Sequence, residues 1–248
     1  MNVPTELGTA AEVLLATDHD PFARGSLRRP LVRGWMGGGA VLWLGIDAHE
    51  RLPYLSALGA PAAVAELIAE VLPELPHRQR VTLPRGTARL LPAWVGVDGV
   101  DWDFRWTPVP FAPQPGEDQV HVLDDLAEVG PLLLAASPRA SVQPDDDAAV
   151  RWVGVRQGGR LVACAADTSS TAGVGHLSSI AVHPAAQGRG LGRAVTAALV
   201  RRLLAGGSDV VTLGTYADND AGRTVYDRLG FRDEHRFTSG PLLVRSRW

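Results

Sequence analysis

The sequence contains no lysine, so all 24 of its Lys and Arg positions are arginine. That absence excludes chemistry built on a side-chain amine. A P-loop needs its Lys on the phosphates, a pyridoxal enzyme its Schiff-base Lys, and a protein kinase its strand Lys. A GC-rich genome accounts for arginine in place of lysine, and for the abundance of Ala, Gly and Pro. The single cysteine, Cys164, excludes an internal disulfide framework and any multi-cysteine zinc site, and no metal is expected. Cys164 sits in the apolar run Leu161 to Ala165 with no His close in sequence to activate it, and reads as a small buried core residue. No apolar run approaches the ~18 residues of a membrane span. Glu6 and Glu12 stand where a signal peptide carries positive charge. A cytoplasmic protein without a membrane partner is expected. The formal charge is -3, with Arg interspersed among Asp and Glu. No basic stripe is present to hold a polyphosphate backbone, so nucleic acid is not an expected partner.

What is present suits a sizeable core: 248 residues, 46% of them hydrophobic, enough for one large domain or two small ones. Pro108, Pro110, Pro113, Pro115 and Gly116 concentrate in a segment that neither a helix nor a central strand accepts. A boundary there divides the chain into residues 1–118 and 119–248. In the second part, strands are expected at 120–123, 150–156, 161–167, 176–182 and 210–215. Helices are expected at 124–136, 190–205 and 219–229, with a last strand pair after Gly230. Gly158-Gly159 reads as a hairpin turn. Leu191, Val195, Leu199 and Leu203 recur at intervals of four before the Gly206-Gly207 stop. Alternating strands and helices imply a mixed sheet, an α+β or α/β class. The first part repeats the order faintly, with strands at 40–46, 79–83 and 100–106, a helix at 61–72 and a short helix at 87–94. Leu58-Gly59-Ala60-Pro61-Ala62 stands where the second part has a glycine loop. Trp102, Phe104 and Trp106 alternate with Asp101 and Asp103, which favours a strand over an acceptor pocket.

That glycine loop carries the chemistry. Val182-His183-Pro184-Ala185-Ala186-Gln187-Gly188-Arg189-Gly190-Leu191-Gly192 ends a strand, turns through glycines and opens a helix. Such a turn aims free backbone N–H groups and the positive end of the helix dipole at one spot, a seat for phosphate. Glycine is needed because a Cβ would hold the backbone off the phosphate oxygens and disfavour positive φ. The dinucleotide spacing G-x-G-x-x-G fails, because Arg193 and Val195 fall at the third positions. The next strand, 210–215, has no acidic residue to hold a ribose. A nicotinamide enzyme is therefore not indicated.

Val182-x-Pro184 followed by Gln187-x-x-Gly190-x-Gly192 resembles the signature of GNAT-type N-acyltransferases. Asn219, Ala221, Tyr226 and Gly230-Phe231 resemble the family's second signature. The resemblance covers roughly 120–248 and, more loosely, the first part. It implies a GNAT-like fold, with two tandem halves of which the N-terminal one is degenerate or a cap, and acetyl-CoA as co-substrate. It implies coenzyme contacts at Ile180, Ala181, Val182, Gln187, Gly188, Arg189, Gly190, Leu191, Gly192, Arg193, Asn219 and Tyr226. The pantetheine would pair with the strand ending at Val182 as an added strand does. A backbone N–H of that strand would stabilise the oxyanion, a contribution of ~3 kcal/mol for one well-placed donor.

Tyr226 would be the general acid toward the leaving thiolate, or an ordinary amphipathic tyrosine. Asn219 suits a helix N-cap, a pantetheine contact, or both. The family often places a Glu on the strand before the loop, but here His176, Leu177, Ser178 and Ser179 occupy it. The base would be His176, whose ordinary pKa near 6.5 suits the task, or a water relayed by Ser178. His183 reads as a surface turn residue. Asp145-Asp146-Asp147 reads as a solvated loop that would also attract a cationic acceptor. The implied activity is transfer of an acetyl group to a primary amine of a small molecule or peptide. A non-catalytic acyl-CoA sensor and an O-acyltransferase are the alternatives. Acceptor identity and oligomeric state are open.

Overall fold

The computed structural model describes residues 3–28, 30–46, 51–76 and 78–244. The first elements are β1 (Thr5–Leu7), α1 (Ala10–Ala16), α2 (Pro21–Ser26), β2 (Leu31–Gly37), β3 (Ala40–Ile46) and β4 (Pro53–Leu58). They are followed by α3 (Pro61–Val71), β5 (Arg80–Pro84), β6 (Val95–Val97) and β7 (Val100–Thr107). Next come β8 (His121–Val122), α4 (Val129–Ala136), β9 (Arg151–Gln157), β10 (Arg160–Asp167) and β11 (Val174–Val182). The chain ends with α5 (Leu191–Ala205), β12 (Val210–Tyr216), α6 (Asp220–Leu229) and β13 (Arg232–Val244).

The chain divides into two compact units. One holds Met1–Phe104, Tyr216–Asp218 and Glu234–Trp248; the other holds Arg105–Thr215 and Asn219–Asp233. The division falls before the Pro-rich segment rather than within it, and most of β13 groups with the first unit.

The class is α+β with mixed sheet pairing, and one motif occurs twice. In the first unit β2, β3 and β4 form an antiparallel meander, α3 crosses over, and β5 pairs parallel to β4. In the second, β9, β10 and β11 form the meander, α5 crosses over, and β12 pairs parallel to β11. A parallel neighbour requires such a helical crossover. In the first unit Val64, Leu67, Ile68 and Val71 of α3 pack with Leu42, Leu55 and Val81 of the strands. In the second, Val195, Leu199 and Leu203 of α5 pack with Leu177, Val211 and Leu213. On the other face of that sheet, Leu132 and Leu133 of α4 pack with Cys164 and Ala181.

Several elements differ from expectation. Helix α4 begins at Val129 rather than Asp124, since the Asp125 carboxylate accepts the Ala127 N–H and diverts the backbone into an Asx turn. The expected helix at 87–94 is a single 3-10 turn, Thr87–Arg89. The expected terminal strand pair is one strand, β13. It runs through Gly240-Pro241, where a Cβ on Gly240 would collide with the Asp98 carbonyl oxygen. Strands β1, β2 and β4 and helices α1 and α2 carry too little periodicity to have been read. Trp102 and Phe104 lie on a strand as expected, in an aromatic cluster with Phe22 and Phe237. The start of α3 offers one backbone donor fewer than the start of α5. Pro61 stands at its first turn and lacks an N–H.

Cys164 is fully buried, and burial pushes its thiol up to about 12. Because the folded value exceeds the ordinary 9.0, this group leaves stability intact below pH 9.0 and erodes it as pH rises toward 12. Ellman's reagent at pH 8 is expected to find no reactive thiol in the native protein and one after denaturation. Rapid native labelling would show that β10 and β11 open readily.

Candidate functional site

The site begins where two parallel strands part. β11 and β12 pair from Val174↔Val210 to Leu177↔Leu213, and there the ladder stops. β11 continues to Val182 and β12 to Tyr216, so the edge of β11 beyond Leu177 has no neighbour on that side within the unit. On its other side β11 pairs with β10, and the register slips. Cys164↔Ala181 and Ala166↔Ser178 are partners, leaving Ser179 and Ile180 opposite the single residue Ala165. This is a β-bulge with one extra residue on β11.

The loop after β11 reaches α5 through residues that only glycine accommodates. Gly188 and Gly190 adopt φ 75 and 82. Gly190 is the N-cap of α5 and supplies no side-chain cap, so the amides of Leu191, Gly192 and Arg193 have no partner within the helix. Gly192 is ordinary helix, but a Cβ there would lie 3.6 Å from Val182 and 3.8 Å from Val225. It therefore keeps open the gap between β11 and α6. The Arg193 guanidinium reaches back over the loop, 3.6 Å from where a Cβ on Gly190 would stand. Together with the helix dipole, these groups form an anion seat.

These parts line one cleft of about 370 Å³. Its walls include Ile180, Ala181 and Val182 of β11, then Gln187, Gly188, Gly190, Leu191, Gly192 and Arg193 of the loop and α5, with Asn219, Val225 and Tyr226 at α6. Asn219 caps α6, its side chain accepting the Gly222 N–H at 2.9 Å. A Cβ at Gly222 would stand 2.7 Å from the Asn219 side-chain amide and displace that cap. Tyr226 is 6% exposed. Burial pushes its phenol up to about 12, against a smaller opposing pull from the Arg105 guanidinium. The rise from 10.0 to about 12 opposes the phenolate by about 3 kcal/mol. Tyr226 therefore holds its proton throughout the neutral range.

Two expected residues lie elsewhere. Arg189 is not among the cleft-lining residues; its guanidinium donates to Gln157 Oε1 at 3.4 Å and to the Ala185 carbonyl at 3.3 Å. His176 is also outside the lining. Its Nδ1 lies 2.7 Å from Thr212 Oγ1, and that hydroxyl donates its only proton to the Gly175 carbonyl at 3.0 Å. His183 is an exposed turn residue that accepts the Ala185 N–H, as expected. Sequence reasoning missed Ala136 and Ser137 at the end of α4, and Gly222, Val225 and Arg228 of α6. Arg228, with Arg193, adds a second cation to the walls. Among the described residues the lining contains no carboxylate and no histidine, and no cluster of three or more His, Cys, Asp or Glu is placed to hold a metal. Among the described residues, no helix is long and apolar enough to cross a membrane.

With this geometry established, the chain resembles known proteins in a consistent way. Residues 121–231 match the model of the acetyltransferase (GNAT) family. A mycothiol acetyltransferase of Kocuria rhizophila is 30% identical over 214 residues, 82% of this chain and 66% of that protein. One of Nocardia farcinica is 45% identical over 62 residues, 25% of this chain and 20% of that protein. The chain thus spans just under two thirds of the first relative and a fifth of the second. Among solved structures, a GNAT-family acetyltransferase from Novosphingobium aromaticivorans has a TM-score of 0.57 at 24% identity, covering 92% of this chain and all of that one. A GCN5-related N-acetyltransferase from Kribbella flavida has a TM-score of 0.56 at 19% identity, covering 97% of each chain. At these identities the two structures show a shared fold.

Gly192→Leu fills the gap between Val182 and Val225 without disturbing a positive φ. Calorimetry with coenzyme A is expected to show loss of binding to the variant, with circular dichroism and melting temperature close to those of the parent. Unchanged affinity would remove this cleft as the coenzyme site.

Proposed function

Residues 121–231 of this chain belong to the GNAT acetyltransferase family, and from that premise we propose that the chain is an acetyl-CoA-dependent N-acetyltransferase acting on an amine of a small-molecule or peptide acceptor. The observation that carries the reading is the cleft in which a parted strand edge, a glycine loop at a helix N-terminus and a protonated tyrosine meet. The three match the three parts of an acyl-CoA: an extended amide-bearing arm, a pyrophosphate and a thioester.

The bound thioester supplies an acyl carbon activated for attack by an amine. The chain's residues do the rest. The edge of β11 at Ile180 to Val182 pairs with the arm's amides and sets its depth. The amides that open α5, with Arg193, hold the pyrophosphate. Asn219 closes the arm's other side. An edge amide directed at the acyl oxygen stabilises the charge that develops there. Tyr226 donates its proton to the departing sulfur as the C–S bond breaks, and its high pKa keeps it in the donor form.

The incoming ammonium must lose a proton before it attacks. His176 and Ser178 both lie outside the lining, so we assign that step to a water relayed along the strand by Ser178, whose hydroxyl is 2.9 Å from Thr168 Oγ1. The first unit, lacking the glycine loop, serves acceptor recognition or as a cap rather than coenzyme binding. Residues 1–118 and 119–248 are the proposed division of labour. The relatives' name makes mycothiol-type acceptors the first to test. A coenzyme-binding chain without transfer activity is the second reading, favoured by the lack of a carboxylate or histidine base in the lining.

Titration with acetyl-CoA, followed by thiol release against a panel of amines, tests the proposal. Binding with acceptor-dependent release is expected. Binding without release for any acceptor favours the second reading, and no binding overturns both. Tyr226→Phe is expected to lower kcat by about tenfold or more with little change in acetyl-CoA affinity. The parent should show no loss of turnover from Tyr226 ionisation below about pH 10. Equal loss of affinity and kcat would make Tyr226 a packing residue.

A further inference from the structure

The bulge in β11 turns on an unusual residue. Ser179 adopts φ 50, a left-handed conformation that non-glycine residues rarely take, and it does so buried within the sheet. Its hydroxyl donates to the Val142 carbonyl at 2.8 Å and accepts the Val142 N–H at 3.1 Å. Val142 is itself buried, against α4 and β10. The Ser179 carbonyl faces Cys164 Sγ at 3.8 Å. The residue is held from two directions in a conformation it would otherwise avoid.

The consequence is a change of phase along the strand. Before the bulge, Leu177 points into the core beneath α5. After it, Ile180 and Val182 pack against that same core, while Ala181 joins the core beneath α4. Strict alternation from Leu177 would have sent 179 and 181 toward α5 instead. The backbone edges exchange as well. His183 donates its N–H to Val162 of β10, so alternation turns the Val182 amide to the opposite edge, where β12 has parted. Two residues earlier, the Ile180 amide faces the same way. The Val182 carbonyl on that edge accepts Gln187 Nε2 at 3.2 Å, in agreement with this assignment. Without the extra residue, a strand paired as β11 is before the bulge would present the neighbouring amides instead.

We propose that Ser179 is a positioning residue, whose hydroxyl clamp on the Val142 backbone holds the left-handed pivot that turns the Ile180 and Val182 amides toward the thioester arm of the coenzyme. The inference rests on the coenzyme reading above and adds to it a residue that touches neither substrate. It separates the two ends of the ligand. The pivot governs the arm and the acyl group, whereas the pyrophosphate seat belongs to the glycine loop and α5, several residues away.

Ser179→Ala removes both hydrogen bonds and keeps the unfavourable φ; Ser179→Gly removes the bonds but adopts the left-handed conformation freely. For each, kcat, acetyl-CoA affinity, 3′,5′-ADP affinity and melting temperature are measured in the full chain. Ser179→Ala is expected to lower kcat by about tenfold and weaken acetyl-CoA binding, while 3′,5′-ADP binding stays within about twofold. Ser179→Gly is expected to fall between Ala and the parent, and it keeps the test informative if the Ala variant does not fold. Full kcat and acetyl-CoA affinity in a folded variant would overturn the proposal, whatever its melting temperature. Equal weakening of both ligands would overturn it too, by making Ser179 a general packing residue. A parent chain that binds neither ligand would overturn the coenzyme reading itself, and this inference with it.

Discussion

Two parallel strands that stop pairing midway set the terms for everything around them. A strand edge with unpaired amides and carbonyls is costly to bury and exposed to unwanted partners. The second unit begins such an edge at Leu177 and closes it with a helix on each side: α5 crosses over one face and α6 follows β12 directly. The cleft is what remains between them. Gly192 and Gly222 keep it open, one by leaving the gap to Val225 unfilled and the other by letting the Asn219 amide fold over the start of α6. On the proposed reading, the site is a defect in sheet pairing whose polar groups would be satisfied by a ligand that can pair like a strand.

The bulge at Ser179 shows how such a defect is maintained. A non-glycine residue in the left-handed region costs of order 1–3 kcal/mol. Two hydrogen bonds to a buried backbone return roughly 0.5–1.5 kcal/mol each. The two quantities nearly cancel, so the pivot is close to neutral for stability while changing which amides face the cleft. Glycine would hold the same φ more cheaply, but without the hydroxyl it would leave the Val142 amide and carbonyl without their partner.

This contrast also explains what could be read from the sequence. Gly188, Gly190 and Gly192 pointed to the loop that opens α5 and lines the cleft, because a positive φ at the first two selects glycine and the spacing is local. Asn219 and Tyr226 were legible for the same reason, lying on one short helix. Ser179 carried no such signal. Serine is an ordinary strand residue, and its partner Val142 is distant in sequence on a loop without periodicity. The contribution of Ala136 and Ser137 was hidden likewise, because nothing local links the end of α4 to β11. Arg189 was named by its neighbours in the loop, yet its side chain is engaged with Gln157 and Ala185 rather than with the cleft. In the first unit, β3, α3 and β5 were visible as apolar runs. β1, β2 and β4, which have mixed burial, were not.

The placement of Tyr226 sets burial against charge. Desolvation drives its phenol toward the neutral form, and the Arg105 cation, itself buried, pulls the other way and loses. Arg105 is committed elsewhere: it forms an ion pair with Asp227, the residue after Tyr226 on α6. A buried guanidinium is expensive unless a carboxylate answers it, and here the answering carboxylate belongs to the helix that carries the tyrosine. The pair thus ties α6 to β7 one residue from Tyr226. The proposed donor role would draw on that combination: a fixed position, a retained proton and a nearby positive charge that would aid a departing thiolate without removing the proton beforehand.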